Sequence, residues 1–376
     1  LWIAAERAGE NPESTRRFYE EHARRHRAAD ILYWKVNWGD YEKDAAYRQT
    51  LTQTAHDIAP GLLVEHCVTQ QAVDQANRSP DIKEVRHRLL EKLVPFSDVI
   101  RTYDIMYPFY ATSTLGRAHE VFSAARENGE GEHGRCLVCA EWAYFVAAAL
   151  GCTVGIMQAN DECRALLRFH RLSPPFGAYE AEYLFSEEVL TDSVYFEKNT
   201  DKGMRVGGRA ISESAPAVMA RGVPLPEVVP CGPYTPFVAA SKNPNSGVYA
   251  VATFRRNIDP NVEFIASADV SLRVEGECVT LGVFGFYHTL TLIFPSDIRD
   301  PVRVLAQDLL LDSPDDVTTK VVISDNKMTF DGVDLRCWGK KSRPYFDNSN
   351  PALLLRIEPV CAESGNRPSE KVSFSR

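Results

Sequence analysis

Residues 33–39 read Tyr-Trp-Lys-Val-Asn-Trp-Gly, so Lys35 and Asn37 stand among Tyr33, Trp34 and Trp38. Aromatic faces stack on the apolar faces of sugar rings, while an ammonium and an amide donate to hydroxyls. The plainer alternative gives Trp34 and Trp38 to core packing. Lys35 has a second option, since a desolvated lysine forms Schiff bases with carbonyl substrates. The aromatic and arginine-rich surroundings, without a phosphate loop, favour carbohydrate over that chemistry.

Residues 96–104, Phe-Ser-Asp-Val-Ile-Arg-Thr-Tyr-Asp, set Arg101 and Asp104 three apart just past an apolar run. Such a pair is suited to holding an oxygen and protonating it. A structural Arg101–Asp104 ion pair is the alternative. Glu6, and Glu65 with His66, close other apolar runs in the same way. His66, His119 and His170 lack ligand spacing, so neither a catalytic metal nor another cofactor is expected. Cys136-Leu-Val-Cys139 has the spacing of a metal knuckle but no second pair at the matching distance. Buried strand thiols are the expectation there.

These groups need a scaffold that gathers the ends of apolar runs. Asn11-Pro12-Glu13 combines an N-cap, a first-turn proline and an early acid, predicting a helix to about Ala28. Strands are expected at 31–36, 61–64, 98–100, 135–139 and 153–157, after the short apolar run 1–4. Helical spacing links Tyr47, Leu51, Ala55 and Ile58. It recurs in Ile82, Val85, Leu89, Leu90 and Leu93 after the Ser79-Pro80 start, and in Leu115, Ala118, Phe122 and Ala125. An apolar helix from Ala140 to Leu150 should stop at Gly151.

Alternating strands and helices make a parallel α/β sheet, either doubly wound or a barrel. Polar residues at nearly every strand end favour an incomplete TIM (β/α)8 barrel, whose strand ends converge in one bowl. From about residue 165 the pattern changes to strand-length segments at 236–240, 247–254, 262–274, 279–294, 320–323 and 353–357. A hairpin-type turn lies at Asn243–Gly247. The expected organisation is a partial barrel over 1–165, a connector over 166–230, an all-β sandwich over 231–361 and a polar tail over 362–376.

The chain has 376 residues, enough for one large and one small domain, and is 44% apolar and 25% charged. No apolar stretch reaches the roughly 18 residues of a membrane span. A net charge of −9 disfavours nucleic acid as a partner, because phosphate neutralisation needs a basic face. The basic run at Arg16, Arg17, Arg24, Arg25 and Arg27 is interleaved with Glu20 and Glu21, as on a solvated helix face. Nine scattered cysteines differ from a dense secreted disulfide scaffold and lean the chain toward the cytoplasm. Oligomeric state is left open.

Taken together, several of these segments resemble the α-galactosidase-like glycoside hydrolases, the clan of families 27, 31 and 36. Leu1-Trp2-Ile-Ala with Glu6 is similar to the clan's third-strand "GLW-E" element. Lys35-Val-Asn37 falls where the clan has Lys-x-Asp at the end of strand four. Glu65-His-Cys67 is similar to the fifth-strand "E-C" element. Arg101-Thr-Tyr-Asp104-Ile is similar to "R-T-x-x-D-I", one residue shorter.

The resemblance implies a barrel entered at its third strand, with strands one and two upstream of Leu1. It implies retaining cleavage of an α-glycosidic bond in a carbohydrate substrate. Position 37 is then the nucleophile and Asp104 the acid/base, with Trp2, Trp34, Lys35, Trp38, Glu65, Cys67 and Arg101 binding substrate.

Asn37 departs from that pattern, since a retaining site needs two carboxyls about 5–5.5 Å apart. Three explanations stand open: a sugar-binding homologue without catalysis, a substitution in an otherwise active design, or Asp40 or Glu65 acting as a base.

Overall fold

The computed structural model describes residues 2–3, 11–37, 39, 41, 43–68, 82–102, 111–128, 135–141, 143–156, 159–199, 205–259, 262–344, 347 and 349–360. Five short strands form a parallel sheet in sequential order: Trp2–Ile3 (β1), Tyr33–Val36 (β2), Leu63–Cys67 (β3), Val99–Arg101 (β4) and Leu137–Cys139 (β5). The described helices of this region are Pro12–Ala28 (α1), Ala45–Ile58 (α2), Ile82–Leu93 (α3), Ala111–Asn128 (α4), Tyr144–Leu150 (α5) and Asp161–His170 (α6), and a seventh, Gly332–Trp338, lies late in the chain.

Consecutive helices from α1 to α5 pack side by side. Sequential strand order with right-handed crossovers puts all the crossover helices on one face, whereas a doubly wound sheet reverses order and uses both. The sheet therefore lacks the order reversal of a doubly wound fold. Closure into a ring is not seen among the described residues. None of the described helices is long and apolar enough to cross a membrane.

Local chemistry explains the first units. Asn11 Oδ1 accepts the Ser14 N–H at 2.9 Å, and Ser14 Oγ accepts the Asn11 N–H at 3.1 Å, a reciprocal cap on α1. In β2, Trp34 and Val36 pack with Tyr19, Ala23, Leu51 and Ala55 beneath the helices. Tyr33 and Lys35, one residue out of phase, take the other face.

The remaining described chain builds two mixed sheets and two two-stranded ones, Val189–Asn199 with Arg205–Pro216 and Arg256–Asp259 with Val262–Phe264. The larger has eight strands in the spatial order Asp315–Asp316, Val302–Asp308, Ala352–Pro359, Val279–Phe284, Tyr249–Phe254, Phe237–Lys242, Val218–Arg221, Tyr183–Phe185. The smaller has five, in the order Glu227–Pro230, Ala268–Arg273, Thr289–Ile293, Lys327–Asp331, Val322–Ser324. Val238, Ala240, Val251 and Leu281 of the larger share a core with Val270, Leu272, Leu290 and Phe330 of the smaller. Phe237, Ala239, Ala252 and Phe284, on the opposite face, join a second core with Phe145 of α5 and Phe169 of α6. A mixed α/β unit is thus packed on a β-sandwich.

Several sequence expectations are corrected. The connector 166–230 supplies the second half of α6, two strands of the larger sheet and one edge of the smaller. It also supplies the hairpin Val189–Asn199/Arg205–Pro216, which packs on α4. Strands such as Val218–Arg221 are buried on both faces and show no polar alternation to reveal them. The strand expected at 279–294 is two strands, broken at Gly285. Its φ of 89° suits glycine, and a β-carbon there would collide with the Thr253 backbone. The strand at 153–157 reduces to one parallel bridge, Thr153 to Cys139. The helix expected from Ala140 begins at Tyr144, leaving Ala140 and Glu141 at the end of β5. The tail 362–376 lies outside the described residues.

Candidate active site

The ladder pairs Lys35 with Glu65, Cys67 with Arg101, and Arg101 with Cys139. These positions share the sheet face turned away from the helices. Glu65 is the hub. Its Oε1 accepts from Arg101 Nε at 2.7 Å and from the Cys67 thiol at 3.8 Å, and its Oε2 accepts from the Tyr33 hydroxyl at 2.8 Å. Arg101 Nη1 also pairs with Glu141. The side chains of Glu65, Glu141 and Arg101 are 0%, 2% and 10% exposed.

Two buried carboxylates therefore share one guanidinium, and Lys35, near Cys67, supplies a second positive charge. Buried ions persist only when paired and hydrogen-bonded in this way. Gly155 completes the enclosure, because a β-carbon there would lie 3.1 Å from Arg101 Cζ and displace the guanidinium.

The electrostatics follow from this packing. Burial, then the Glu65 carboxylate, raises the Tyr33 hydroxyl and the Cys67 and Cys139 thiols above their ordinary ranges. Both thiols stay protonated at neutral pH, so neither is an activated nucleophile. Burial opposes the Arg101 charge, but Cys139 and Glu65 outweigh it and hold its pKa above the usual value.

On the opposite face a second buried cluster secures the end of β2. Arg48 Nη2 donates to the Asn37 carbonyl at 2.9 Å, and Nη1 donates to the Val36 carbonyl at 3.3 Å and to His66 Nδ1 at 3.1 Å. The Thr52 hydroxyl donates to the Arg48 carbonyl, so it accepts from His66 Nε2 at 2.8 Å. Burial and the Arg48 charge hold His66 well below its ordinary pKa, matching that neutral tautomer. Arg48 thereby fixes the main chain at Asn37, which is fully buried.

Of the residues singled out in the sequence, Lys35, Glu65, Cys67 and Arg101 come together, and Trp2 pairs with Lys35 in the ladder. Trp38 and Asp104, like Glu6 and Asp40, lie outside the described residues. Trp34 is a correction. It is completely buried under α1, and its indole N–H donates to His26 Nδ1 at 3.0 Å, so it packs in the core and does not face a ligand. The reason is the strand period of two, which turns Trp34 away from Lys35. Glu65, weighed as a base, has both oxygens engaged and anchors Arg101. Glu141 was missed because the apolar run after it extends the helix pattern back to Ala140. Its place just past a strand end was the available signal. A guanidinium, an ammonium and a phenol on one face of the sheet, from successive rungs of its ladder, suit a polyhydroxylated ligand.

No family model matches the chain, and no curated protein matches it. Solved structures with some likeness include two of a Paenibacillus polymyxa xyloglucanase from glycoside hydrolase family 44, one of them with xyloglucan. They are 7% identical with TM-scores of 0.29 and 0.30, cover 86% of this chain, and are themselves 65% and 66% covered. The chain thus spans just under two thirds of the xyloglucanase's length. A monomeric β-xylosidase from Caulobacter crescentus CB15 is 10% identical with a TM-score of 0.28, covering 92% of this chain and 74% of that one. The chemistry of this chain rests on its own residues.

Proposed function

We propose that the chain acts on carbohydrate as a glycoside hydrolase of the α-galactosidase-like clan, with Asn37 at the nucleophile position and Asp104 as acid/base. The observation that carries this reading is the gathering of Lys35, Glu65, Cys67 and Arg101 on the same strand-end face of a sequential parallel sheet. These residues come from three separate sequence motifs. In this reading the sheet is an arc of a (β/α)8 barrel. Lys35 and Arg101 hold sugar hydroxyls, Trp2 and Trp38 lie against the ring, and Glu65 keeps Arg101 in place.

A neutral amide cannot form the covalent glycosyl intermediate of a retaining enzyme. Asn37→Asp restores the charge at nearly constant volume, two residues from Lys35, whose ammonium favours the ionised form. Hydrolysis of activated aryl α-glycosides should then rise on the order of 10³-fold. A slow fluorinated sugar should leave an adduct at residue 37 detectable by mass spectrometry. Full wild-type activity that Asn37→Asp leaves unchanged would remove residue 37 from the reaction.

A second reading, a carbohydrate-binding homologue without catalysis, is favoured by Asn37 and by the complete engagement of Glu65. Calorimetric sugar binding with no turnover in either wild type or Asn37→Asp would select it.

A further inference from the structure

The outer face of the five-stranded sheet carries a separate group of ligating side chains. Cys231 directly follows the edge strand Glu227–Pro230, Asp269 lies in Ala268–Arg273, and His288 directly precedes Thr289–Ile293. Register pairs Pro230 with Ala268 and Asp269 with Thr289. The Cys231 N–H donates to the Ser267 carbonyl at 3.0 Å, and the His288 N–H to the Ala268 carbonyl at 2.9 Å. Three neighbouring strands thus present these residues side by side, with their backbones held by ladder hydrogen bonds. Ala268 and Val270 are buried in the core, so Asp269 between them points outward.

The Cys231 Sγ is 3.7 Å from Asp269 Oδ2, and His288 Nδ1 is 2.7 Å from Asp269 Oδ1. One ligand atom from each residue lies within 4.8 Å of the other two. Tetrahedral zinc has bonds of about 2.0–2.3 Å, which puts its ligand atoms roughly 3.3–3.5 Å apart. The observed separations bracket that spacing, and His288, with its side chain 62% exposed, has room to adjust. Thr289 Oγ1 donates to Asp269 Oδ1 at 2.6 Å, the kind of supporting contact that orients a metal-ligating carboxylate. One sulfur, one imidazole nitrogen and one carboxylate oxygen suit zinc-class ions better than magnesium or calcium.

We propose that Cys231, Asp269 and His288 bind a zinc-class divalent cation, with solvent as the fourth ligand, and pin the edge strand Glu227–Pro230 to its sheet. On binding, Cys231 gives its thiol proton to solvent and His288 ligates as the neutral imidazole.

Titration of the full chain with Co2+ reads thiolate coordination directly. One equivalent should produce a sulfur-to-cobalt charge-transfer band and intense tetrahedral d–d bands, both abolished by Zn2+. Cys231→Ser should remove the charge-transfer band. Asp269→Asn and His288→Ala should each weaken Co2+ binding on the order of tenfold or more. Cys278→Ser and Cys337→Ser, at other exposed thiols, should leave the spectrum unchanged, as should His87→Ala in the separate His87–Glu91–Glu127 cluster. In the unmutated protein, Zn2+ should slow alkylation of Cys231 and spare the rates at Cys278 and Cys337. Absence of the charge-transfer band, its persistence in Cys231→Ser, or unprotected alkylation of Cys231 overturns the proposal.

Discussion

Two carboxylates on one guanidinium decide how the strand-end cluster responds to substitution. Arg101→Met keeps the bulk of the side chain but strands Glu65 and Glu141 in a buried setting. Breaking a buried pair from one side costs about 3–5 kcal/mol, mostly from the ion left behind. Urea unfolding of Arg101→Met should show a loss of that size. A loss under about 1 kcal/mol would mean that water reaches these carboxylates. At this scale much of the cluster was legible, because Lys35, Glu65 and Arg101 each end an apolar run. Trp34 was misassigned and Glu141 missed for one reason: a single residue's offset decides which face of a strand, or which element, a side chain joins.

Helices and strands are tied together here by a few buried polar contacts. His56, in the last turn of α2, has its Nε2 2.8 Å from Asp98 Oδ2, which also accepts the Val64 N–H of β3 at 2.8 Å. The hydrogen bond to Asp98, working against desolvation, raises the His56 pKa above its ordinary value. A raised folded-state pKa contributes stability that is complete below the unfolded value of about 6.5 and fades as pH rises through the folded value. His56→Gln should therefore lower Tm more at about pH 5.5 than at about pH 9. An equal drop at both, followed by calorimetry, would assign the contact to neutral histidine alone. Helices α2 to α4 were readable because their apolar spacing repeats over three turns or more, whereas α6 was not expected. The parallel strands span only two to five residues, so their centres were found but most of their ends were displaced, by up to three residues.

Across the whole molecule, the eight-stranded sheet is covered on both faces, by the smaller sheet on one side and by α5 and α6 on the other. Gly282 sits at the helix side, where an added β-carbon would lie 2.6 Å from Phe169 Cε2 and 2.9 Å from Phe284 Cε2. Gly282→Ala should cost about 1–3 kcal/mol by overpacking. Because one core joins both layers, near-UV and far-UV circular dichroism should report the same lowered transition. Two separated transitions would show that helices and sandwich melt independently. The sequence by itself determined the alternation of parallel strands and helices, the later change to strands, and the polar groups at the strand ends. Those features follow from periodicity and from local capping chemistry, which neighbouring residues alone dictate. Only the tertiary structure decided that Trp34 lies in the core, that Glu141 joins Arg101, and that the strands at 183–185, 218–221 and 227–230 belong to the sandwich. Each depends on which surfaces become buried against each other, and residues far apart in the chain settle that together.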